Sequence, residues 1–162
     1  MIKYVPTNSS VVLEEIPRKV SLAVEISNCK GNCDGCHSPY LREDVGLELT
    51  EGVIDKLLDD NFGVDCFLFL GEGRDPQALL RLARYVKARH HIDVALYSGR
   101  QEVDGEFFQV FDYVKVGPYI PELGPLNSSA TNQRLYRVTH EGDNTVKEDI
   151  TSYFWGEKNT GR

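Results

Sequence analysis

Residues 27–41 read SNCKGNCDGCHSPYL and hold Cys29, Cys33 and Cys36, three of the four cysteines in the chain. Thiolate sulfur is a soft donor, so three thiols at this spacing point to zinc or to an iron–sulfur centre. A zinc site would recruit His37 as fourth ligand and close as Cys3His. The spacing argues against that reading. All four donors would crowd into nine residues with Cys36 and His37 adjacent, whereas structural zinc usually draws its ligands from two separated knuckles. A 4Fe–4S cluster normally takes four thiolates. With three local cysteines, one iron is left open as a place for a substrate or cofactor. The fourth cysteine, Cys66, falls near the start of a predicted strand, at the far end from the loop, and reads as a small buried core residue.

The segments around the loop must hold it in place. VSLAVEIS (20–27) alternates apolar and small or polar residues with period 2, which predicts a strand running straight into the cysteines. VVLEEI (11–16) is a weaker strand that ends at Pro17 and is its expected hairpin partner. Thr50 is a predicted N-cap for a helix with Val53, Ile54, Leu57 and Leu58 at helical spacing. VDCFLFL (64–70) is the near-continuous apolar run of a strand buried on both faces. Asp75 and Pro76 then open a second helix as N-cap and first helical residue. A strand at DVALYS (93–98), a short helix over 106–111 and a strand over 113–116 follow, and 134–139 pairs with 144–150 as a hairpin across 141–143.

Repeated strand–helix units predict a parallel α/β sheet. The cysteine loop, GEGRDP, SGR and GPY each stand where a predicted parallel strand ends. Ligand sites in parallel sheets and barrels gather at the carboxyl ends of the strands, so the four segments are expected to share one mouth.

The bulk properties exclude several classes. A length of 162 residues suits one domain, with a core over about 11–138 and a C-terminal hairpin and tail over 139–162. Hydrophobic content of 41% and 14 glycines describe an ordinary globular chain. A net charge of −7 supplies no basic stripe for sequence-independent nucleic-acid binding. The start, MIKYVPTNSS, lacks the pattern of a signal peptide, and no apolar run reaches the roughly 20 residues of a membrane span. A cytoplasmic protein with reduced thiols is the expectation.

The C-x3-C-x2-C loop after a first strand resembles the signature of the radical S-adenosylmethionine enzymes. CDGCHSP, LYSGR (96–100), GPYIPEL and SSATNQR (128–134) resemble segments of one family within it, the activating proteins of anaerobic ribonucleoside-triphosphate reductases. The likeness covers about residues 11–138 and implies a small, incomplete (β/α) barrel of mainly parallel strands.

It also implies a 4Fe–4S cluster on Cys29, Cys33 and Cys36, with S-adenosylmethionine chelated at the open iron. Reductive cleavage of the sulfonium would yield methionine and a 5′-deoxyadenosyl radical that abstracts a glycine hydrogen on a large partner reductase. A flavodoxin- or ferredoxin-type protein would supply the electron. Gly35, Cys36 and His37, Gly71, Glu72 and Gly73, and Ser98 are the implied cofactor contacts. One departure stands out: the family's Gly-Gly-Glu/Asp motif reads Gly71-Glu72-Gly73 here, its glycine pair split by a side chain that needs a permitted φ. The aspartate that often precedes the late Gly-Pro turn is Val116, and Ala130–Thr131 interrupt the Ser-Asn-Gln run.

Other polar residues divide between function and plain surface. Glu25 stands either toward a barrel interior or toward solvent, since strand patterning alone cannot tell the two apart. Ser98 and Lys115 end later strands and could reach the cofactor, or lie on the surface. Arg89, His90 and His91 suit the negative end of a helix dipole. Asp55, Asp59 and Asp60 read as a solvated helix face. Tyr153, Phe154 and Trp155 either dock a partner or cover the open bottom of the domain. The alternatives to a reductase activase are an activase of another glycyl radical enzyme and a non-catalytic zinc-stabilised interaction module.

Overall fold

A computed structural model describes residues 2–27, 46–142 and 144–155. Cys29, Cys33, Cys36, Gly35, His37 and the tail beyond Trp155 lie outside the described residues. The strands are β1 (Lys3–Tyr4), β2 (Ser10–Val12), β3 (Ser21–Glu25), β4 (Leu47–Glu48), β5 (Cys66–Leu70), β6 (Asp93–Tyr97), β7 (Tyr113–Val116), β8 (Arg134–Glu141) and β9 (Asn144–Asp149). The helices are α1 (Glu51–Asp60), α2 (Pro76–His90) and α3 (Gly105–Val110).

Seven strands form one mixed sheet in the order β2-β3-β5-β6-β7-β8-β9. The central run β3-β5-β6-β7 is parallel. β2 flanks it antiparallel at one edge, and the β8–β9 hairpin closes the other side antiparallel. The strands are thus those of a mixed α/β fold, running from an edge at β2 to an edge at β9.

Helix boundaries follow local chemistry. Thr50 Oγ1 accepts from the Val53 amide at 3.2 Å and starts α1. The Asp75 carboxylate accepts from the Ala78 amide at 3.1 Å, with Pro76 as the first helical residue. Side-chain acceptors at these positions satisfy amides that have no partner inside the helix. At the far end of α2, His91 caps the helix in the left-handed conformation with φ 57°.

Alternation along each strand sends side chains to opposite faces of the sheet. Leu22, Val24, Phe67, Phe69, Val94, Leu96 and Val114 meet Ile54, Leu79, Ala83, Val86 and Phe107 of the three helices. The other face carries no α-helix: Ile16, Leu126, Ile150 and Phe154, the last in a short 3-10 turn over Thr151–Trp155, pack on Ala23, Leu68, Ala95 and Leu135. Both faces of β5 are therefore buried, as its apolar run requires.

Two sequence expectations change, and one strand pair is new. The strand over 11–16 shortens to Ser10–Val12, because the chain turns so that Ile16 can bury itself, fully excluded from solvent, on the helix-free face. The two-residue pair β1–β4, too short to show a period, runs beside the end of β3 through a Tyr4–Ile26 bridge. Asp55 is not a bare solvated carboxylate: it accepts from the Tyr85 hydroxyl at 2.8 and 2.9 Å and lies 2.7 Å from His90 Nε2, joining α1 to α2. The hydrogen bonds from His90 and then Tyr85 hold its carboxyl below the ordinary carboxylate range.

Candidate functional site

The described strand ends are laced to one another by hydrogen bonds. The Ile26 amide donates to the Leu70 carbonyl at 3.0 Å, and the Gly71 amide to the Tyr97 carbonyl at 2.9 Å. The Ser98 amide donates to the Lys115 carbonyl at 2.8 Å, and the Gly117 amide to the Arg100 carbonyl at 2.6 Å. The stem of the cysteine loop and the GEG, SGR and GPY segments are thus consecutive members of one rim. The four segments, far apart in sequence, meet as expected because parallel pairing in register aligns the strand ends.

Gly71 and Gly73 are the tightest part of the rim. Both take left-handed backbone conformations, with φ of +114° and +70°. A Cβ on Gly71 would stand 3.2 Å from the Ile26 carbonyl oxygen, and one on Gly73 would stand 3.1 Å from Ile2 Cδ1 and 3.2 Å from Ile26 Cγ2. Glycine is needed at both positions for conformation and for space. Glu72 is absent from the positive-φ residues, so the split motif resolves itself: the glycines turn the chain and the glutamate between them keeps an ordinary backbone. Its carboxylate is 11% exposed and lies 3.6 Å from Arg100 Nη1. At the strand end next to the cysteine stem, then, a buried acid is paired with a half-exposed guanidinium from the strand end beyond it.

Ser98 is fully buried, and its hydroxyl accepts from the Arg100 amide at 3.1 Å. The side chain thus shapes the turn after β6, and its carbonyl faces Lys115. Lys115 Nζ donates to the carbonyls of Ser98 at 3.2 Å and Gly117 at 3.0 Å, and stands 5.7 Å from the centre of the Tyr97 ring. A lysine 8% exposed is unusual. The helix-free face is where it points.

On that face, register places Glu25, Leu70, Tyr97, Lys115 and Leu135 in one row across five strands. Glu25 is half-buried, and its Oε1 accepts from Asn8 Nδ2 at 2.8 Å. Leu70, Tyr97 and Lys115 floor a pocket of about 570 Å³ whose walls include Leu126, Gln133 and Phe154. The Tyr97 hydroxyl donates to the Glu15 carbonyl, tying the segment after β2 over the pocket. Burial pushes the Tyr97 phenol well above its ordinary range, so it stays a neutral donor. Trp155 Nε1 donates to the Leu126 carbonyl at 2.8 Å, which fixes the last aromatic residues against the wall. Phe154 is part of that wall, while Tyr153 is exposed.

Of the residues expected at a site, Gly71, Glu72, Gly73 and Ser98 come together with Lys115. Cys29, Cys33, Cys36, Gly35 and His37 lie outside the described residues, and Ser27, 1% exposed, is the last described residue before them. Cys66 opens β5 opposite Ser21, the first residue of β3 and so the end away from the cysteine segment. Burial pushes its thiol up to about 12. Among the described residues no group of three metal-ligating side chains converges, and no helix is long and apolar enough to cross a membrane. Tyr97, Arg100 and Gln133 were not singled out from the sequence. The period-2 alternation that puts Tyr97 and Lys115 on the face opposite Leu96 and Val114 was the signal that could have found the first.

The GEG turn offers one charged group, Glu72, that could meet the ammonium end of a cofactor. Gly71 and Gly73 pack tightly against Ile26 and Ile2, and the buried Glu72 carboxylate beside Arg100 supplies the charge that would attract an ammonium group. The donor set of the loop fits a soft cluster, since three thiolates are its chemistry. No protein-family model, curated protein or solved structure matches the chain.

Proposed function

We propose that this protein is a radical S-adenosylmethionine activating enzyme that generates a glycyl radical on an anaerobic ribonucleoside-triphosphate reductase. The observation that carries the reading is the contact between Gly71, Gly73 and the Ile26–Ser27 stem, because the chain reaches Cys29 two residues later. In this reading the sheet is the wall of an incomplete barrel whose inner side is its helix-free face. Cys29, Cys33 and Cys36 would hold three irons of a 4Fe–4S cluster, and Gly35 to His37, Gly71 to Gly73 and Ser98 would hold S-adenosylmethionine. When bound, cluster and cofactor supply one-electron chemistry that ends in removal of a hydrogen atom from carbon.

The chain's own residues do the rest. The carbonyls and turned backbone of the GEG segment orient an ammonium group, and Glu72 adds the complementary charge. Arg100 stands 3.6 Å from Glu72 and offsets its charge when that site is empty. Leu70, Leu126 and Phe154 exclude water from the face where a reactive carbon would stand. Neutral Tyr97 offers no ionised oxygen there.

Anaerobic reconstitution with iron and sulfide, then dithionite and S-adenosylmethionine, tests the proposal through release of 5′-deoxyadenosine. Four irons per chain with product formation is the expected result. Stoichiometric zinc without iron would replace the enzyme by a Cys3His-stabilised interaction module. Product formation without activation of the reductase would point to another glycyl radical partner.

A further inference from the structure

The helix-free pocket has a charge order of its own. Its floor holds Lys115, buried and fixed by the carbonyls of Ser98 and Gly117. Glu14 and Glu15, on the segment after β2, also line it. So do apolar residues Leu70, Leu126 and Phe154 and the amide-bearing Asn127 and Gln133. A lysine left free to move would carry its ammonium to water along its flexible stem. Here two main-chain acceptors and the Tyr97 ring hold the positive charge at depth.

We infer that this pocket takes a short polypeptide segment of the partner that presents a carboxylate to Lys115, an apolar side chain to Leu70 and Leu126, and a cationic residue to Glu14 and Glu15. The inference rests on the proposed function, which requires a polypeptide substrate, and adds what that polypeptide must carry. The pocket volume of about 570 Å³ accommodates a few residues rather than a folded surface. Two rim glutamates and a net charge of −7 disfavour a nucleotide or other polyanion. Asn127 and Gln133 each carry both a donor and an acceptor, the pair that a peptide group needs. A carboxylate entering this low-dielectric floor gains more from Lys115 than it would at the surface. Such a group comes from an acidic side chain or from a chain terminus, and the two sources can be separated.

Trp155 is the single tryptophan of the chain and is bonded to the carbonyl of the pocket-wall residue Leu126. Its fluorescence therefore reports occupancy without reference to activity. The probes are Ac-Lys-Leu-Gly-Leu-Glu-NH2, the same peptide with Gln for Glu, the same with Gln for Lys, and the Gln peptide with a free C-terminal carboxylate. The full-length protein is titrated with each, before and after cluster loading. The Glu peptide is expected to bind at least tenfold more tightly than its Gln counterpart, and the advantage disappears in Lys115→Gln and partly survives in Lys115→Arg.

Glu15→Gln, at a half-exposed position, carries the test if Lys115→Gln fails to fold: it should abolish the preference for the Lys-bearing peptide. Tighter binding of the free-terminus peptide than of the Glu peptide assigns the carboxylate to a chain end. Equal affinity for Glu and Gln peptides, or no fluorescence change with any of them at millimolar concentration, overturns the inference. Isovalerate binding as well as the Glu peptide would also overturn it, since the pocket would then read a small acid. A protein that releases 5′-deoxyadenosine but discriminates no peptide keeps the proposed function and loses only this pocket. One that takes zinc alone loses the proposed function, whatever the peptides do.

Discussion

Gly71→Ala probes the join between the GEG turn and the stem of the cysteine loop. Gly71 has φ +114°, and its added Cβ would meet the Ile26 carbonyl oxygen at 3.2 Å. That oxygen belongs to main chain held in place by the Ile26–Leu70 and Gly71–Tyr97 hydrogen bonds, so it cannot swing away as a side chain would. An alanine forced into this backbone region costs about 1–3 kcal/mol. The crowded oxygen adds roughly 1 kcal/mol, at the low end of overpacking. Gly63→Ala separates the two contributions, because Gly63 has φ +99° but nothing within 4 Å of a built Cβ.

In urea titrations Gly71→Ala should lose about 1 kcal/mol more than Gly63→Ala, equivalent to roughly 2–4 °C in melting temperature for a chain of this size. On cluster-loaded protein, calorimetric titration with S-adenosylmethionine should show at least tenfold weaker binding for Gly71→Ala, about 1.4 kcal/mol, and no change for Gly63→Ala. Equal stability losses, with cofactor binding unaltered in both variants, would refute the close approach and its link to the cofactor.

Arg100→Ala should leave Glu72 buried without its guanidinium, and urea titration should show a larger stability loss than for an exposed ion pair such as Lys56→Ala. The folded Asp55 carboxyl titrates below the unfolded one, so its contribution is complete above the ordinary carboxylate range and is lost as pH falls through the folded value. Asp55→Asn should therefore flatten the fall in urea midpoint between pH 5 and pH 3. Cys66 has the opposite sign: its folded thiol holds its proton up to about 12, so stability falls as pH rises above the unfolded value of 9.0. The total is about 4 kcal/mol for a three-unit separation, and Cys66→Ala should remove that part of the alkaline slope. At pH 8, Cys66 should also resist iodoacetamide in native protein and react in urea.

The central strands were legible because burial on both faces leaves an apolar run, as in VDCFLFL, and because Thr50 and Asp75-Pro76 mark helix starts by local hydrogen bonding. The same double burial hid which face of each strand carried the pocket. Ser21, Ala23 and Cys66 face one way and Leu22, Val24 and Phe67 the other, yet none of them is exposed. Register across three parallel strands, which no short window contains, is what aligns Leu70, Tyr97 and Lys115. Asp55 was misread for a related reason: its partners Tyr85 and His90 are 30 and 35 residues away on another helix. The GEG motif was legible as a departure from a family pattern, but its resolution needed backbone angles, with left-handed glycines on either side of an ordinary glutamate.

Electron paramagnetic resonance of reconstituted, dithionite-reduced protein, recorded with and without S-adenosylmethionine, tests the proposed activity most directly. The predicted result is a reduced 4Fe–4S signal that changes shape on addition of the cofactor, disappears in Cys29→Ala, Cys33→Ala and Cys36→Ala, and persists in Cys66→Ala. A signal indifferent to S-adenosylmethionine, or a chain that binds one zinc and no iron, would contradict it.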